Sequence, residues 1–315
     1  MQTSVIGVIA HRGGAGLRVE NTLAAFANAV AVGAVGAELD ARFSADGQVV
    51  VHHDACLNPS YCRYLGGDWL ENGIELPVAN FDLSALRGFD IGTPKPDSDY
   101  AQRFDRIRPA PGQRVPLLRE VIRLVRDRSD KFFLVIEIKT SLLEADTEGA
   151  RRLVDAVLEI VEQEQFGHRF RLCSFDWGAL RYAIDQRAAT RAWFTTHPLS
   201  WYSKMPPPPC DIPPHSDYLR LFREAYSRGA RWFGDFDPRD FGGGYAEAIA
   251  TACGEAWLLY HTDCGPTRVR EARSYGLSSS AWSVNLRDPD AVAALEHAGA
   301  DWVCLDYPDM YQSER

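Results

Sequence analysis

The chain has 315 residues, with 34 Lys or Arg against 43 Asp or Glu and a formal charge of −9. Hydrophobic residues make up 46% and charged residues 24%, which excludes a disordered or fibrous chain. The acidic balance argues against a nucleic-acid partner, because phosphate backbones are gripped by clustered Lys and Arg. On its face it also argues against any phosphate-bearing ligand.

The N-terminal stretch MQTSVIGVIAHRGG has no basic region, long apolar run or small-residue cleavage site, so a cytoplasmic location is expected. Residues 5–11 read as a strand, and residues 21–33 as a helix capped by Asn21 or Thr22 and closed by Gly33. Residues 36–43 form a strand, and 49–54 an extended piece after the turn Asp46-Gly47. Residues 55–115, rich in Gly and Pro without sustained periodicity, read as an insertion. Helix 116–130 and strand 132–140 follow, then helix 147–165, strand 170–175, helix 177–188 and strand 191–196. The chain continues with helix 217–229, strand 231–236, helix 245–254, strand 256–262, helix 267–276, strand 280–285, helix 288–299 and strand 302–307.

Alternation of this length and near-uniform period predicts parallel strands closed into a (β/α)8 barrel, one domain over residues 1–315. The strand candidates exceed the eight that such a barrel accepts. Strand 256–262 is the one expected to be peripheral, leaving an excursion at 245–276 outside a minimal barrel. The stiff run Met205-Pro206-Pro207-Pro208-Pro209 follows a strand, on the face where barrel chemistry occurs. Among seven cysteines there is no Cys-x-x-Cys pair, so a zinc site of ordinary spacing is not expected. Cys56 and Cys62 are the one pair close enough in sequence to suggest a disulfide.

The residues able to do chemistry gather at strand ends. His11-Arg12 ends the first strand and Glu38 and Asp40 the second. Positions i and i+2 of a strand face the same side, so these two carboxylates can share one cation. Glu137 and Lys139 repeat that spacing, and His53-Asp54 closes the extended piece. Barrel closure would bring three carboxylates together, where they repel one another unless a cation lies among them. Hard oxygen donors without cysteine favour Mg2+ or Ca2+. Two His, one Arg and one Lys beside such an ion are the parts phosphoryl chemistry needs.

These motifs carry a family resemblance. His11-Arg12-Gly13-Gly14, then Glu20-Asn21-Thr22-Leu23-Ala24-Ala25-Phe26, then Gly36-x-Glu38-x-Asp40, then His53-Asp54, resemble the signature of glycerophosphodiester phosphodiesterases. Ile136-Glu137-Ile138-Lys139, Trp282-Ser283-Val284-Asn285 and Asp301-x-Val303-x-x-Asp306-x-Pro308 continue it. The resemblance implies a (β/α)8 barrel and one divalent cation, Mg2+ or Ca2+, on Glu38, Asp40 and Glu137. It implies His11 and His53 as the acid–base pair, and Arg12, Lys139, Glu20 and Trp282 as substrate contacts. The partner it implies is a small glycerophosphodiester, with no nucleic acid and no integral membrane segment, cleaved to sn-glycerol 3-phosphate and an alcohol. The attacking group it implies is the glycerol 2-hydroxyl.

Departures from the family pattern bear on substrate more than on chemistry. Leu57-Asn58-Pro59-Ser60 replaces the family's Arg-Thr-Thr continuation, Ser283 stands for a common Thr, and Val19 stands where Pro is common, a change expected to affect loop stiffness. A lysophospholipase D or sphingomyelinase-D-like activity is the alternative, with Trp201, Tyr202, Phe222, Trp232 and Phe233 lining an apolar entry or simply packing a core. A non-catalytic phosphate-binding barrel is the third reading. His197 and His215, flanking the Pro-rich run, are expected at the surface.

Overall fold

The computed structural model describes residues 5–141, 147–203, 216–282 and 287–311. The proline run at 205–209, Cys210, His215 and Ser283-Val284-Asn285 lie outside them. In chain order the elements are β1 (Gly7–Ala10), α1 (Leu23–Ala31), β2 (Gly36–Phe43), β3 (Val49–Val51), β4 (Arg63–Tyr64), α2 (Leu83–Leu86) and β5 (Phe89–Asp90). Then come α3 (Asp99–Arg103), α4 (Leu118–Arg128), β6 (Phe133–Ile138), α5 (Thr147–Gln163), β7 (Phe170–Ser174), α6 (Trp177–Gln186) and β8 (Ala192–Thr195). The last third holds α7 (Ser216–Ser227), α8 (Tyr245–Thr251), β9 (Ala256–Tyr260), α9 (Pro266–Ser274), β10 (Ser278–Trp282), α10 (Pro289–Ala298) and β11 (Trp302–Leu305).

The hydrogen-bonded order is β1-β11-β10-β9-β8-β7-β6-β2, and β1 also pairs with β2. The order of these eight strands returns to its start, which is the (β/α)8 topology. Parallel neighbours need a crossover, and helices supply it. The short β3 runs antiparallel on the far edge of β2, pairing Ala41 with Val51.

The choice of peripheral strand is corrected. Residues 256–260 are all buried and pair in parallel with both β8 and β10, so β9 belongs to the barrel. Residues 231–236 are not a strand. Arg231–Phe233 form a single 3-10 turn, and Gly234 turns the chain at φ 58°, ψ −131°, a conformation outside the extended region. Apolar character misled here because Trp232 and Phe233 are both buried without being extended. The departure from a minimal barrel is therefore the stretch between β8 and α8, and not 245–276.

The chain groups into two compact units. The first holds Val8–Lys139, Asp155–Phe170 and Leu305–Arg315; the second holds Met1–Gly7, Thr140–Val154 and Arg171–Cys304. In the first, α1 begins where Thr22 Oγ1 accepts the Ala25 amide at 3.1 Å and buries Ala25, Phe26 and Ala29, one helical face. Residues 55–115 fold around their own apolar cluster, in which Tyr61, Cys62, Leu70, Val78, Leu86, Phe89 and Ile91 pack with Val19 and Val50. Cys56 and Cys62 are both free thiols, so the suggested disulfide is not formed.

In the second unit the aromatic residues pack on one another. Trp201, Phe222, Trp232 and Phe233 are buried, with Phe222 on Trp232 at 5.1 Å and Tyr202 on Phe233 at 5.9 Å between centroids. They form a core, which removes the argument for an apolar entry. His197 is also inside, at 7% exposure, between Phe175 at 4.3 Å and Phe222 at 4.7 Å. The surface expectation for His197 fails because apolar rings surround its imidazole.

Candidate active site

The first unit brings eight of the nine expected site residues into one framework. The turn after β1 starts it. Arg12 adopts φ 50°, ψ 34°, a left-handed conformation rare for a side chain of this size. That turns its amide onto Glu38 Oε2 at 3.0 Å. A Cβ at Gly13 would meet that of Ala25 at 2.8 Å, so the glycine lets the turn lie against α1. The Arg12 guanidinium then reaches Glu20 at 2.8 Å and Asp40 at 3.5 Å. Burial opposes its charge, and Glu20, Asp40 and Glu38 together more than restore it.

Strand β2 carries Glu38 and Asp40 on one face, and β6 pairs Glu137 opposite Asp40. One oxygen from each of Glu38, Asp40 and Glu137 lies within 4.8 Å of the others. Lys139 stands over them, with Nζ 2.9 Å from Glu137 and 3.3 Å from Asp40. Burial lifts the Glu38 carboxyl well above its ordinary range, and the charges of Asp40 and Glu137 lift it further. Burial pushes Asp40 the same way, but Lys139, His53 and Arg12 and the hydrogen bond from Asn21 hold it well below. Asp40 Oδ1 is buried and has no hydrogen-bond partner among the described residues, since the Lys139 ammonium approaches it without donating. Clustered oxygens, an unsatisfied one among them and a carboxyl destabilised by its neighbours are what a divalent cation would relieve. The donor set therefore fits such an ion.

The two histidines share one architecture. His11 Nδ1 lies 2.6 Å from Asp306 Oδ1, and its Nε2 is 3.9 Å from Glu38. His53 Nδ1 lies 2.8 Å from Asp54 Oδ1, whose other oxygen accepts Asn58 Nδ2–H at 2.8 Å. In each ring the δ nitrogen is tied to a carboxylate, which fixes ring orientation and leaves Nε2 for chemistry. Burial, and then the cations Arg12 and Lys139, push the His53 imidazole down to about 3, so it is neutral near pH 7.

The Glu20 amide donates to the Tyr100 hydroxyl at 3.3 Å, which joins the insertion to the Arg12 partner. Trp282 belongs to the second unit. It ends β10, donates its indole N–H to the Thr196 carbonyl at 3.1 Å and packs edge-on against Phe175.

Sequence reasoning gave Asp306, Asn21 and Arg42 no role in the site. Asp306 stood inside a recognised motif, but its partner is 295 positions away. Asn21 read as a helix cap, yet Thr22 caps α1 and Asn21 donates to Asp40 at 2.7 Å, from a left-handed backbone with φ 56° that Asn tolerates.

With this geometry in hand, comparison with known proteins is decisive about family. The sequence model of the glycerophosphoryl diester phosphodiesterase family matches residues 11–310. The chain belongs to that family. A glycerophosphodiester phosphodiesterase of Caldanaerobacter subterraneus is 31% identical over 174 residues, covering 55% of this chain and 60% of that protein. The mouse lysophospholipase D GDPD1 is 36% identical over 115 residues, 36% of this chain and 31% of that protein. The match thus spans 60% of the first relative and about a third of the second, less than two thirds of either. A solved structure from Silicibacter pomeroyi carrying the same family name superposes with a TM-score of 0.79 at 28% identity, over 97% of this chain and 91% of that one. An Oleispira antarctica phosphodiesterase solved with its product sn-glycerol-3-phosphate shares the fold, with a TM-score of 0.64 at 20% identity over 96% and 94%. Among the described residues no helix is long and apolar enough to cross a membrane.

Proposed function

We propose that this protein hydrolyses glycerophosphodiesters such as glycerophosphocholine and glycerophosphoethanolamine to sn-glycerol 3-phosphate and an alcohol, using His11 and His53 as the acid–base pair. The observation that carries the reading is the matched pair of imidazoles beside the carboxylate triad, each held at Nδ1 by its own aspartate. We read the family match, which runs through both units, as one catalytic domain with residues 55–115 inserted.

Glu38, Asp40 and Glu137 would hold one divalent cation, Mg2+ or Ca2+. When bound, that ion would supply charge neutralisation to the phosphodiester oxygens. Arg12 and Lys139 bind those oxygens as well. The Arg12 Nε–H is buried and, although Asp40 Oδ2 lies 3.5 Å away, makes no hydrogen bond among the described residues, a donor suited to an incoming phosphoryl oxygen. One imidazole takes the proton of the glycerol 2-hydroxyl as its oxygen attacks phosphorus. The other gives a proton to the departing alcohol as the P–O bond breaks, and water then opens the cyclic phosphate. An intramolecular nucleophile needs no second encounter, which is worth a large effective concentration. Glu20 orients Arg12.

The test is choline release from glycerophosphocholine and from lysophosphatidylcholine, with chelator and then with Mg2+ or Ca2+ returned. Cation-dependent turnover of the first substrate supports the reading. Turnover of the lysophospholipid alone transfers the assignment to a lysophospholipase D, and no turnover of either removes it.

A further inference from the structure

Arg42 is the third residue of a same-face series on β2, two positions beyond Asp40 and four beyond Glu38. Strand geometry would allow it to join the row of carboxylates, but its guanidinium is used differently. Nε and Nη2 both donate to one acceptor, the main-chain carbonyl of His53, at 2.9 and 2.6 Å. Burial weakens its hold on the proton, Asp40, Glu137 and Asp54 only partly oppose that, and among the described residues it makes no direct ion pair with them.

The position of His53 explains why such a hold matters. The ladder between β2 and β3 stops at Val51, and the last bond that continues it runs from the His52 amide to the Asp40 carbonyl at 2.9 Å. His53 has left the sheet, and no backbone-to-backbone hydrogen bond among the described residues involves it. Its main chain is held by Arg42 and its ring by Asp54. The 53–54 peptide plane includes the Cα of His53, so a plane free to turn would shift that Cα and carry the imidazole with it. Proton transfer tolerates little such movement, and a misplacement of about 1 Å can cost on the order of 100-fold.

We propose that Arg42 is a positioning residue for the proposed phosphodiesterase reaction: its forked grip on the His53 carbonyl fixes the 53–54 peptide plane, and so aims the imidazole. This rests on the reading of His53 as a proton-transfer group. A planar fork gives two donors at a fixed angle, whereas Lys offers a flexible point charge.

The experiment compares Arg42→Met and Arg42→Lys with wild type and His53→Ala, measuring kcat, KM and Tm on glycerophosphocholine with a divalent cation present. The expected result is a fall in kcat of about 30-fold for Arg42→Met, a partial return in Arg42→Lys, and KM within about three-fold in both. A folded variant of either kind that keeps kcat within two-fold, or loses efficiency through KM alone, overturns the proposal. If Arg42→Met does not fold, Arg42→Lys decides, because it retains the charge and most of the volume. Inactivity of His53→Ala with full activity of the Arg42 variants overturns this proposal alone. An inactive wild type, or a fully active His53→Ala, overturns the parent reading and this one with it.

Discussion

His11 Nδ1 and Asp306 Oδ1 meet at 2.6 Å although the two residues are 295 positions apart in the chain. Asp306 is fully buried. Burial alone would raise its carboxyl, but the charge and hydrogen bond of His11 hold it below the usual range. A buried carboxylate kept ionised against an imidazole fixes the ring tautomer and stabilises the protonated ring. Asp306→Asn keeps the shape and removes the charge. Its kcat on glycerophosphocholine is expected to drop by on the order of 100-fold with the fold intact. A kcat within three-fold of wild type would show that His11 needs no charged partner.

Gly16 permits that arrangement. Its amide donates to the Asp306 carbonyl at 2.9 Å, and a Cβ added there would meet the Tyr307 ring at 2.4 Å. Tyr307 is fully buried, so it has little room to yield. Gly16→Ala is expected to cost about 1–3 kcal/mol in stability and to lower turnover by displacing Asp306. Chemical denaturation and a turnover assay on one preparation check both effects. An unchanged midpoint with full activity would contradict the packing argument.

The carboxylate triad predicts stabilisation by a cation. An ion that binds only the native state adds about 2.7 kcal/mol at a hundred times its dissociation constant. Chelator-treated wild type should therefore gain a few degrees in Tm when Mg2+ or Ca2+ is added. Glu38→Gln and Glu137→Gln should gain little, and both should lose turnover. Equal shifts in wild type and variants would place the ion elsewhere.

His53 gives the protein a pH signature. Burial, Arg12 and Lys139 lower its native pKa to about 3, whereas an unfolded His titrates near 6.5. Between these values the unfolded chain binds a proton that the native chain refuses. Stability then rises with pH; it is fully present above about 6.5 and is lost as pH falls toward 3. In chelator-treated protein, the Tm of wild type should fall more steeply from pH 7 to 5 than that of His53→Gln. Parallel slopes would mean that His53 is not held neutral.

The sequence by itself settled the parts of this protein that rest on local pattern. Strand–helix alternation gave a parallel barrel, because connecting parallel strands requires a crossover. The i, i+2 spacing of Glu38 and Asp40 put both on one face before any contact was known. Apolar character could not rank strands 231–236 and 256–262, because a buried 3-10 turn and a buried strand are equally hydrophobic. That was decided by the parallel pairing of β9 on both sides and by the backbone of Gly234. The partners Asp306 for His11 and Arg42 for His53 were also decided only in three dimensions. The first pairing joins nearly opposite ends of the chain. The second depends on where one carbonyl points after its strand ends, and no periodicity in the sequence encodes that direction.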